Sequence, residues 1–375
     1  MLIYLILPVA AIVPGVFLCR ERFKNAGKAI YCIFAGAGLF AVAALRYAVG
    51  HDYILYANWF NSARLLSVNE LAFWSREKGF LIPVKILADM SADYQIMFIL
   101  IALVITAGVM LLIYKNSSAP WVSVAAFLAS GLFFNSLNFM RQFIAAVIIA
   151  FALRYIAKKR FFRYAGLVLF ASAFHFSALI MLPFYFVFKL KLNLPVLGIT
   201  LVGSAAVYIF VTPLMNFVTN FFYTAYDTVT NVEAASGLSP VYTIAFALFF
   251  LAAFLLRKML MRRNNHANTL LFSMYFAVFF SLLGTVHGII ARLSLLFIIA
   301  PVLILSADIY MILRELIRLT FKDSIKKARI CVLVVSLFFF CLSGAYYGYL
   351  LAVKYNGVVP YQTIFAGPSP PEVQS

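Results

Sequence analysis

Charged residues are scarce in this chain, and acidic residues are the scarcest of them. Asp and Glu number 12 among 375 residues, charged residues make up 11% of the chain, and hydrophobic residues make up 65%. A soluble domain carries roughly 25% charged residues, so this composition excludes one. The apolar runs are continuous rather than alternating, which excludes an outer-membrane barrel. The sequence therefore predicts an all-α, polytopic integral membrane protein.

Short motifs for metal, nucleotide or hydrolytic chemistry are also missing. The cysteines have no CxxC spacing and no nearby pair of histidines, so we expect neither a metal site nor a disulfide framework. The chain lacks a Gly-x-x-x-x-Gly-Lys-Ser/Thr loop, an Asp-x-Asp pair, a Gly-x-Ser-x-Gly elbow and an HExxH helix. These absences argue against ATP-driven transport, a metal-held nucleotide donor and hydrolysis. We expect no metal and no cofactor.

The apolar runs predict where the chain crosses the membrane. A span needs roughly 17–25 apolar residues. Runs that meet this length, or come close to it, lie at about residues 2–18, 29–49, 94–114, 119–134, 139–157, 194–213, 241–256, 269–286, 288–313 and 330–352. The run 161–188 is too long for one ordinary span and short for two, and it has His175 near its middle.

The distribution of Lys and Arg decides how the run 161–188 is placed. If it is a hairpin that turns near His175, Lys and Arg divide as 22 on one side of the membrane and 8 on the other. If it crosses once, they divide as 12 and 18. Because basic residues concentrate on the cytoplasmic side, the hairpin is favoured. It gives about twelve transmembrane or half-membrane segments with both termini outside.

The same topology explains the formal net charge of +18. All of it falls on the inner face, so the basic excess indicates orientation, and we do not expect nucleic acid as a partner. We predict one membrane domain over residues 1–353, followed by an extracytoplasmic, partly disordered tail over 354–375.

The isolated polar residues of the apolar runs gather on the outer face in this topology. Since ionisable groups are costly in hydrocarbon, those that persist at span boundaries are candidates for function. Together they predict an outward-facing cavity. They are Arg46, Asp52, Asn135, Asn138, Arg141, Gln142, His175, His287, Arg292, Tyr361 and Gln362.

Simpler explanations exist for several of these residues. Arg46 could snorkel towards the interface, and the tyrosines around it could be ordinary interfacial anchors. Arg141 could pair with a helix C-terminus or a lipid phosphate. His175 could be a turn histidine that is satisfied by backbone groups.

Three arginines near a bilayer surface suit a diphosphate. Guanidinium groups match phosphate oxygens in a bidentate manner, and this predicts a role for Arg46, Arg141 and Arg292. A diphosphate-linked lipid is already a good leaving group, so it needs stabilisation of charge more than a general acid. An acceptor hydroxyl would still benefit from a base, for which Asp52 and His175 are the candidates.

Five features of the chain resemble the EpsG family of Wzy-like polymerases, which serve bacterial exopolysaccharide, capsule and O-antigen synthesis. They extend from residue 45 to residue 361. The features are Leu45-Arg46-Tyr47-x-Val49-Gly50-x-Asp52-Tyr53-x-x-Tyr56, Glu77-Lys78-Gly79-Phe80, Met140-Arg141-Gln142-Phe143-Ile144-Ala145, Phe174-His175-x-Ser177-Ala178-Leu179 with Leu182-Pro183, and Pro360-Tyr361. His51 departs from the family pattern, which has a small or hydroxylated residue there, and it could replace His175 as the base.

The resemblance implies a metal-independent glycosyltransferase of the bacterial plasma membrane. Such enzymes join undecaprenyl-diphosphate-linked repeat units at the outer leaflet, and a flippase and a chain-length regulator of the same pathway are expected partners. Catalytic roles are expected for Asp52, His175 and Arg141. Substrate contacts are expected for Arg46, Arg292, Tyr53, Tyr56, Glu77, Gln142, His287 and Tyr361.

Two other functions compete with this interpretation. A flippase for the same lipid-linked glycan would need buried polar residues in the inner half of the membrane, and the sequence offers mild ones such as Thr200, Ser204 and Ser273. An acyltransferase would need a histidine that an acyl donor can reach from inside, where His266 lies in a basic loop. A non-catalytic assembly factor is a further alternative.

Overall fold

The structure is a computed structural model, and it describes residues 2–20, 24–67, 70, 77–222, 240–322 and 324–365. Its regular elements in these ranges are helices, and the one β-bridge found there pairs Arg46 with Thr363. The α-helices are α1 (Leu2–Leu18), α2 (Lys24–Ala44), α3 (Tyr53–Leu65), α4 (Lys78–Met90), α5 (Gln95–Asn116), α6 (Pro120–Ala129), α7 (Leu132–Asn138), α8 (Met140–Ala152), α9 (Arg154–Ala157), α10 (Phe161–Ser172), α11 (Met181–Val187), α12 (Leu194–Phe222), α13 (Pro240–Leu255), α14 (Arg257–Arg263), α15 (Ala267–Leu283), α16 (Gly288–Ala291), α17 (Ser294–Thr320) and α18 (Ile325–Ala352). Short 3₁₀ helices lie at Phe176–Ile180 and Tyr355–Gly357.

This architecture confirms an all-α polytopic membrane protein. In the described residues, five helices are long and apolar enough to cross a membrane, and up to seven are if each of two bent pairs forms one span. Four shorter apolar helices accompany them. The total of twelve segments, the side on which the termini lie and the outward-facing cavity stay predictions.

Two of the predicted spans are broken helices. The run expected at 119–134 consists of α6 and α7, which are bent by 61° at Ser130 and Gly131. Gly131 has a φ of +74°, a backbone conformation that residues with a Cβ rarely adopt, so the bend is specified by this residue. The run expected at 241–256 is α13, and it bends by 72° into the basic helix α14.

The run 161–188 doubles back, as the charge distribution predicted. The ring of Phe161 lies 5.0 Å from that of Tyr185, and the Tyr164 hydroxyl donates a hydrogen bond to the carbonyl oxygen of Met181. The first arm, α10, has 12 residues and is therefore about 18 Å long, too short for a bilayer core of about 30 Å. The break between the two arms falls at residues 173–175, and the half-membrane position of this hairpin stays a prediction.

Two compact units divide the chain. One contains Met1–Ile148, Leu169–Ala178 and Val302–Ser375, and the other contains Ile149–Val168 and Leu179–Pro301. The boundary predicted at residue 353 is not tested by this division. The tail to residue 365 belongs to the first unit, and the Pro-rich stretch 367–371 lies outside the described residues.

The tail of the first unit docks along the stretch that follows α2. Backbone hydrogen bonds join the two segments; the donors and acceptors are Tyr47 N to Gln362 O, Gly50 N to Gly357 O, His51 N to Asn356 O and Ile364 N to Leu45 O. The described part of the predicted tail, residues 354–365, is therefore a structural element of the first unit.

Two asparagines of α7 hold this tail in place. The Asn138 Nδ2 donates to the carbonyl oxygen of Asn356 (3.1 Å), and its Oδ1 accepts from the backbone N–H of Asp52 (3.2 Å). The Asn135 Oδ1 accepts from the Tyr355 hydroxyl (2.9 Å) and from the Asn356 Nδ2 (2.7 Å). Because α7 is buried, these amides replace water as partners for the tail.

We predict that Asn138→Ala loosens the tail without unfolding the protein. The change leaves the Asp52 N–H without Asn138 as its acceptor and removes one of two donors to the Asn356 carbonyl, which keeps the His51 N–H, at a cost of about 1–3 kcal/mol. Amide exchange at Gly50 and His51, whose N–H groups donate to the tail, should become about fivefold faster or more when followed by hydrogen–deuterium exchange. Asn116→Ala, which removes a hydrogen bond within α5, is the control. Equal exchange in both variants would contradict the docking role.

Candidate active site

A buried carboxylate organises the polar residues of the first unit. Glu77 directly precedes α4 and is 8% exposed. Its Oε1 lies 2.7 Å from Nδ1 of His175 and accepts a hydrogen bond from the backbone N–H of Phe176 (3.1 Å). Its Oε2 forms an ion pair with Nη1 of Arg141. Glu77 thus joins the start of α4, the break of the hairpin and the start of α8.

Gly79 allows the start of α4 to lie close to the hairpin. Its backbone N–H donates to the carbonyl oxygen of Ala173 at 2.9 Å, so α4 begins directly against the hairpin. A Cβ at residue 79 would lie 2.9 Å from both Cβ and O of Ala173, which is closer than real Cβ contacts come. The sequence Glu77-Lys78-Gly79 therefore places a carboxylate and a close backbone contact two residues apart.

Aromatic rings fix the guanidinium group of Arg141. Its Cζ lies 4.1 Å from the ring centroid of Trp59, 5.8 Å from that of Phe80 and 6.0 Å from that of Tyr56. Tyr56 and Trp59 are three residues apart on α3 and so share one face of the helix. A cation over such ring faces gains cation–π attraction, which is stronger where water is excluded. Arg141 therefore has a fixed orientation, with 21% of its side chain exposed.

The charges around Glu77 outweigh the effect of its burial. Burial by itself raises the pKa of the Glu77 carboxyl, but the hydrogen bond from His175 and the positive charge of Arg141 hold its pKa below the ordinary value. Glu77 is therefore ionised at neutral pH. It offsets the charge of Arg141, which would be costly to leave unpaired in this environment.

Asp52 lies at the N-cap of α3 and is half-buried. Its backbone N–H is held by Asn138, as described above. Burial raises the pKa of the Tyr56 phenol; the positive charge of Arg141 opposes this shift and the Asp52 carboxylate adds to it. The charges of Asp52 and Arg141 thus shift the pKa of the same phenol in opposite directions. His51, the alternative base, is exposed beside Asp52.

Arg46 is packed inside the first unit. It is 2% exposed, and its Nη1 donates to the carbonyl oxygens of Val49 and Leu137. Its Cζ lies 5.2 Å from the ring centroid of Phe98. These contacts fix the turn after α2 and the end of α7. Contact of Arg46 with phosphate stays a prediction, and this geometry favours a positioning role instead.

Tyr53 is buried and Tyr361 is half-buried. Tyr53 stacks on Phe98 with ring centroids 4.3 Å apart, and its hydroxyl donates to Oε1 of Gln95 (3.0 Å). The Tyr361 hydroxyl donates to the carbonyl oxygen of Val42 (2.9 Å). Their hydroxyl groups are thus engaged in holding helices and the tail together. Their predicted contacts with sugar are not tested.

The remaining candidates have separate positions. Gln142 follows Arg141 on α8 and is buried. His287 and Arg292 flank α16 in the second unit, where Nε2 of His287 lies 3.2 Å from Oγ1 of Thr212. That they form one cluster with Arg141 stays a prediction. In the described part of the chain, no group of three or more His, Cys, Asp or Glu residues could hold a metal ion.

Sequence reasoning missed two residues of this site. Trp59 was not considered, although its position one turn after Tyr56 could have indicated an aromatic surface on α3. Gly79 was quoted as part of a motif without a role. Its role depends on a contact with Ala173, which is 94 positions away in the sequence, and no local pattern announces such a contact.

We predict that the stabilisation provided by Glu77 depends on pH. Because the pKa of this carboxyl is lowered in the folded protein, its contribution is complete above the ordinary value of about 4.3 and is lost as the pH falls through the folded-state pKa. Glu77→Gln should therefore lower Tm by about 3 °C or more at pH 7. The difference in Tm between Glu77→Gln and the unchanged protein should become smaller towards pH 3.5. Thermal unfolding in detergent measures both values.

Glu70→Gln is the control for this measurement. Glu70 is an exposed carboxylate that accepts hydrogen bonds from Ser67 and is not a member of the ion pair of Arg141 with Glu77. The Glu70→Gln substitution should change Tm little at pH 7 and at pH 3.5. An equal effect of the two substitutions at pH 7 would contradict the assignment of Glu77 as the organising carboxylate.

Comparison with known proteins places this architecture in a family. The sequence profile of the EpsG family matches residues 29–363, which include α3, the Glu77 segment, α8, the hairpin and the docked tail. No curated protein and no solved structure matches the chain. Since the match covers nearly the whole chain, the protein belongs to the EpsG family, a family of Wzy-like polysaccharide polymerases.

Proposed function

We propose that the protein is a metal-independent glycosyltransferase that polymerises undecaprenyl-diphosphate-linked repeat units at the outer leaflet of the bacterial plasma membrane. It would transfer the growing glycan from its lipid carrier to the non-reducing end of a new lipid-linked unit. Membership in the EpsG family supports the polymerase class. The observation that carries the mechanism is the contact of one carboxylate, Glu77, with both His175 and Arg141.

His175 is the proposed base. Its Nδ1 lies 2.7 Å from the Glu77 carboxylate, and we assign the proton to Nδ1, which leaves Nε2 with a lone pair. The acceptor hydroxyl gives its proton to Nε2 while its oxygen forms a bond to the anomeric carbon of the donor glycan. Glu77 stabilises the imidazolium that results, as the carboxylate of a catalytic triad does.

Arg141 is the proposed ligand of the leaving group. When the bond between the anomeric carbon and the phosphate oxygen breaks, undecaprenyl diphosphate departs with the electron pair and gains negative charge. A guanidinium that is already fixed by Glu77 and Trp59 can donate its other N–H groups to this oxyanion with little reorganisation. Glu77 does not touch the substrate in this mechanism and is a positioning residue.

The other candidate residues take subordinate roles in the proposal. Asp52, at the N-cap position of α3, is the alternative base; His175 is preferred because Glu77 orients its imidazole. Arg292 would supply a second contact to the diphosphate. The sugar path would involve side chains that include Tyr56, Gln142 and His287.

We predict that His175→Asn lowers the polymerisation rate by about 10²- to 10⁴-fold, because it removes the base and keeps a polar side chain. Arg141→Lys should lower it by about tenfold or more, since Lys keeps the charge and loses the fixed fork of donors. Asp52→Asn should lower the polymerisation rate by a smaller factor than His175→Asn does. The assay is the formation of polymer by purified protein from synthetic lipid-linked repeat units in detergent with EDTA, with Glu70→Gln as the control.

This assay also separates the competing functions. Detergent micelles have no leaflets, so a flippase would form no polymer in them, and an acyltransferase would leave the repeat units unjoined. Polymer of the usual length from His175→Asn would refute the assignment of the base. Formation of polymer in a parallel assay without EDTA, but not with it, would refute metal independence.

A further inference from the structure

A basic cavity lies apart from Glu77 in the first unit. It has a volume of about 500 Å³ and is formed at the end of α17, the following turn and the start of α18. Ligand sites in proteins commonly fall within about 300–1,000 Å³. Its lining consists of Arg314, Arg318, Phe321, Lys322, Ala328, Arg329 and Val332.

The ionisable side chains that line this cavity in the described part of the chain are all cationic. Arg314 and Arg318 are one turn apart on α17 and share a face, Lys322 lies in the turn, and Arg329 approaches from α18. Cationic side chains that converge on one concave surface repel one another, so an anion in the cavity would be stabilised. Guanidinium forks match the oxygens of a phosphate group in particular.

The position of the cavity indicates where such a phosphate comes from. Helix α17 belongs to the candidate span Gly288–Thr320, in which an 18-residue window has a mean hydropathy of 2.5. At 33 residues this span is about 50 Å long and exceeds a bilayer core of about 30 Å, so we place its charged end, from Arg314 onward, at the membrane surface. The floor of the cavity includes the apolar side chains of Phe321, Ala328 and Val332. Basic pockets between membrane helices at this level bind anionic lipid headgroups.

We propose that this cavity binds the phosphate of an anionic glycerophospholipid headgroup. The arginines hold the phosphate, and the apolar floor contacts the beginning of the acyl chains. The proposal does not depend on the function proposed above, because none of the lining residues belongs to the Glu77 site.

The neighbouring residues Lys326 and Lys327 provide a matched control. They are exposed on the first turn of α18 and do not line the cavity. Arg318→Gln with Arg329→Gln removes two positive charges from the cavity. Lys326→Gln with Lys327→Gln removes two from the adjacent surface.

Binding of phosphatidylglycerol to the full-length protein in detergent, counted by native mass spectrometry, tests the proposal. The affinity of the cavity variant should fall by about 30-fold, while the control variant should bind as the unchanged protein does. Phosphatidylcholine should bind at background level. An equal loss of affinity in the two variants would mean that the lipid is attracted to the positively charged surface in general, and it would overturn the proposal.

Two further arms complete the experiment. Inorganic pyrophosphate at matched ionic strength tests for a soluble ligand; if it binds in the cavity and phosphatidylglycerol does not, the headgroup proposal is overturned. Arg329→Lys keeps the charge and should keep most of the lipid binding. If the double variant fails to fold, Lys322→Gln in the turn gives the same test with one charge, and undiminished lipid binding there would overturn the proposal.

Discussion

One ion pair between a buried carboxylate and a guanidinium, extended to an imidazole, is the interaction on which the rest of the site depends. Arg141 lies among the rings of Trp59, Phe80 and Tyr56, where a charge without a partner would be costly. Glu77 supplies the opposite charge and uses its second oxygen for His175. The Glu77 side chain therefore stabilises the junction of three elements and orients Arg141 and His175, the two groups proposed to act on the substrate.

The backbone around this carboxylate is arranged to permit the contact. Gly79 lets α4 meet the hairpin at Ala173, and the break between α10 and the 3₁₀ helix at Phe176 exposes the N–H that Glu77 accepts. On the opposite side, Asn138 ties the N–H of Asp52 to the docked tail. The polar residues are thus held by short connections between helices, while the helices themselves supply the rigid support.

The sequence predicts the helices and the class of the protein well, because long apolar runs have one stable solution in a membrane. Counting Lys and Arg also predicts that the run 161–188 doubles back, and contacts such as Phe161 with Tyr185 confirm this. The break at Gly131 escaped prediction, since a positive φ at one glycine leaves no trace in hydropathy. The docking of the tail also escaped prediction, because Asn135 and Asn138 bind it through contacts that span more than 200 positions.

The site itself was predicted residue by residue but not as an arrangement. Arg141, His175 and Glu77 each stand out as polar groups at the edges of apolar runs. That Glu77 contacts both of the others depends on tertiary structure, which the sequence pattern does not show. Arg46 and Tyr53 stand out for the same reason, and both are packed in the interior. A pattern of polar residues at a boundary does not distinguish a ligand contact from a buried hydrogen bond.

A double-mutant cycle between Glu77 and His175 tests the central claim most directly. Rates of polymer formation would be measured for Glu77→Gln, His175→Asn and the variant that carries both. If Glu77 acts in part by orienting His175, Glu77→Gln should lower the rate by a smaller factor in the His175→Asn background than in the unchanged protein, because only its ion pair with Arg141 is then left to lose. Effects that multiply in the double variant would show that the two residues act independently, and would contradict this account.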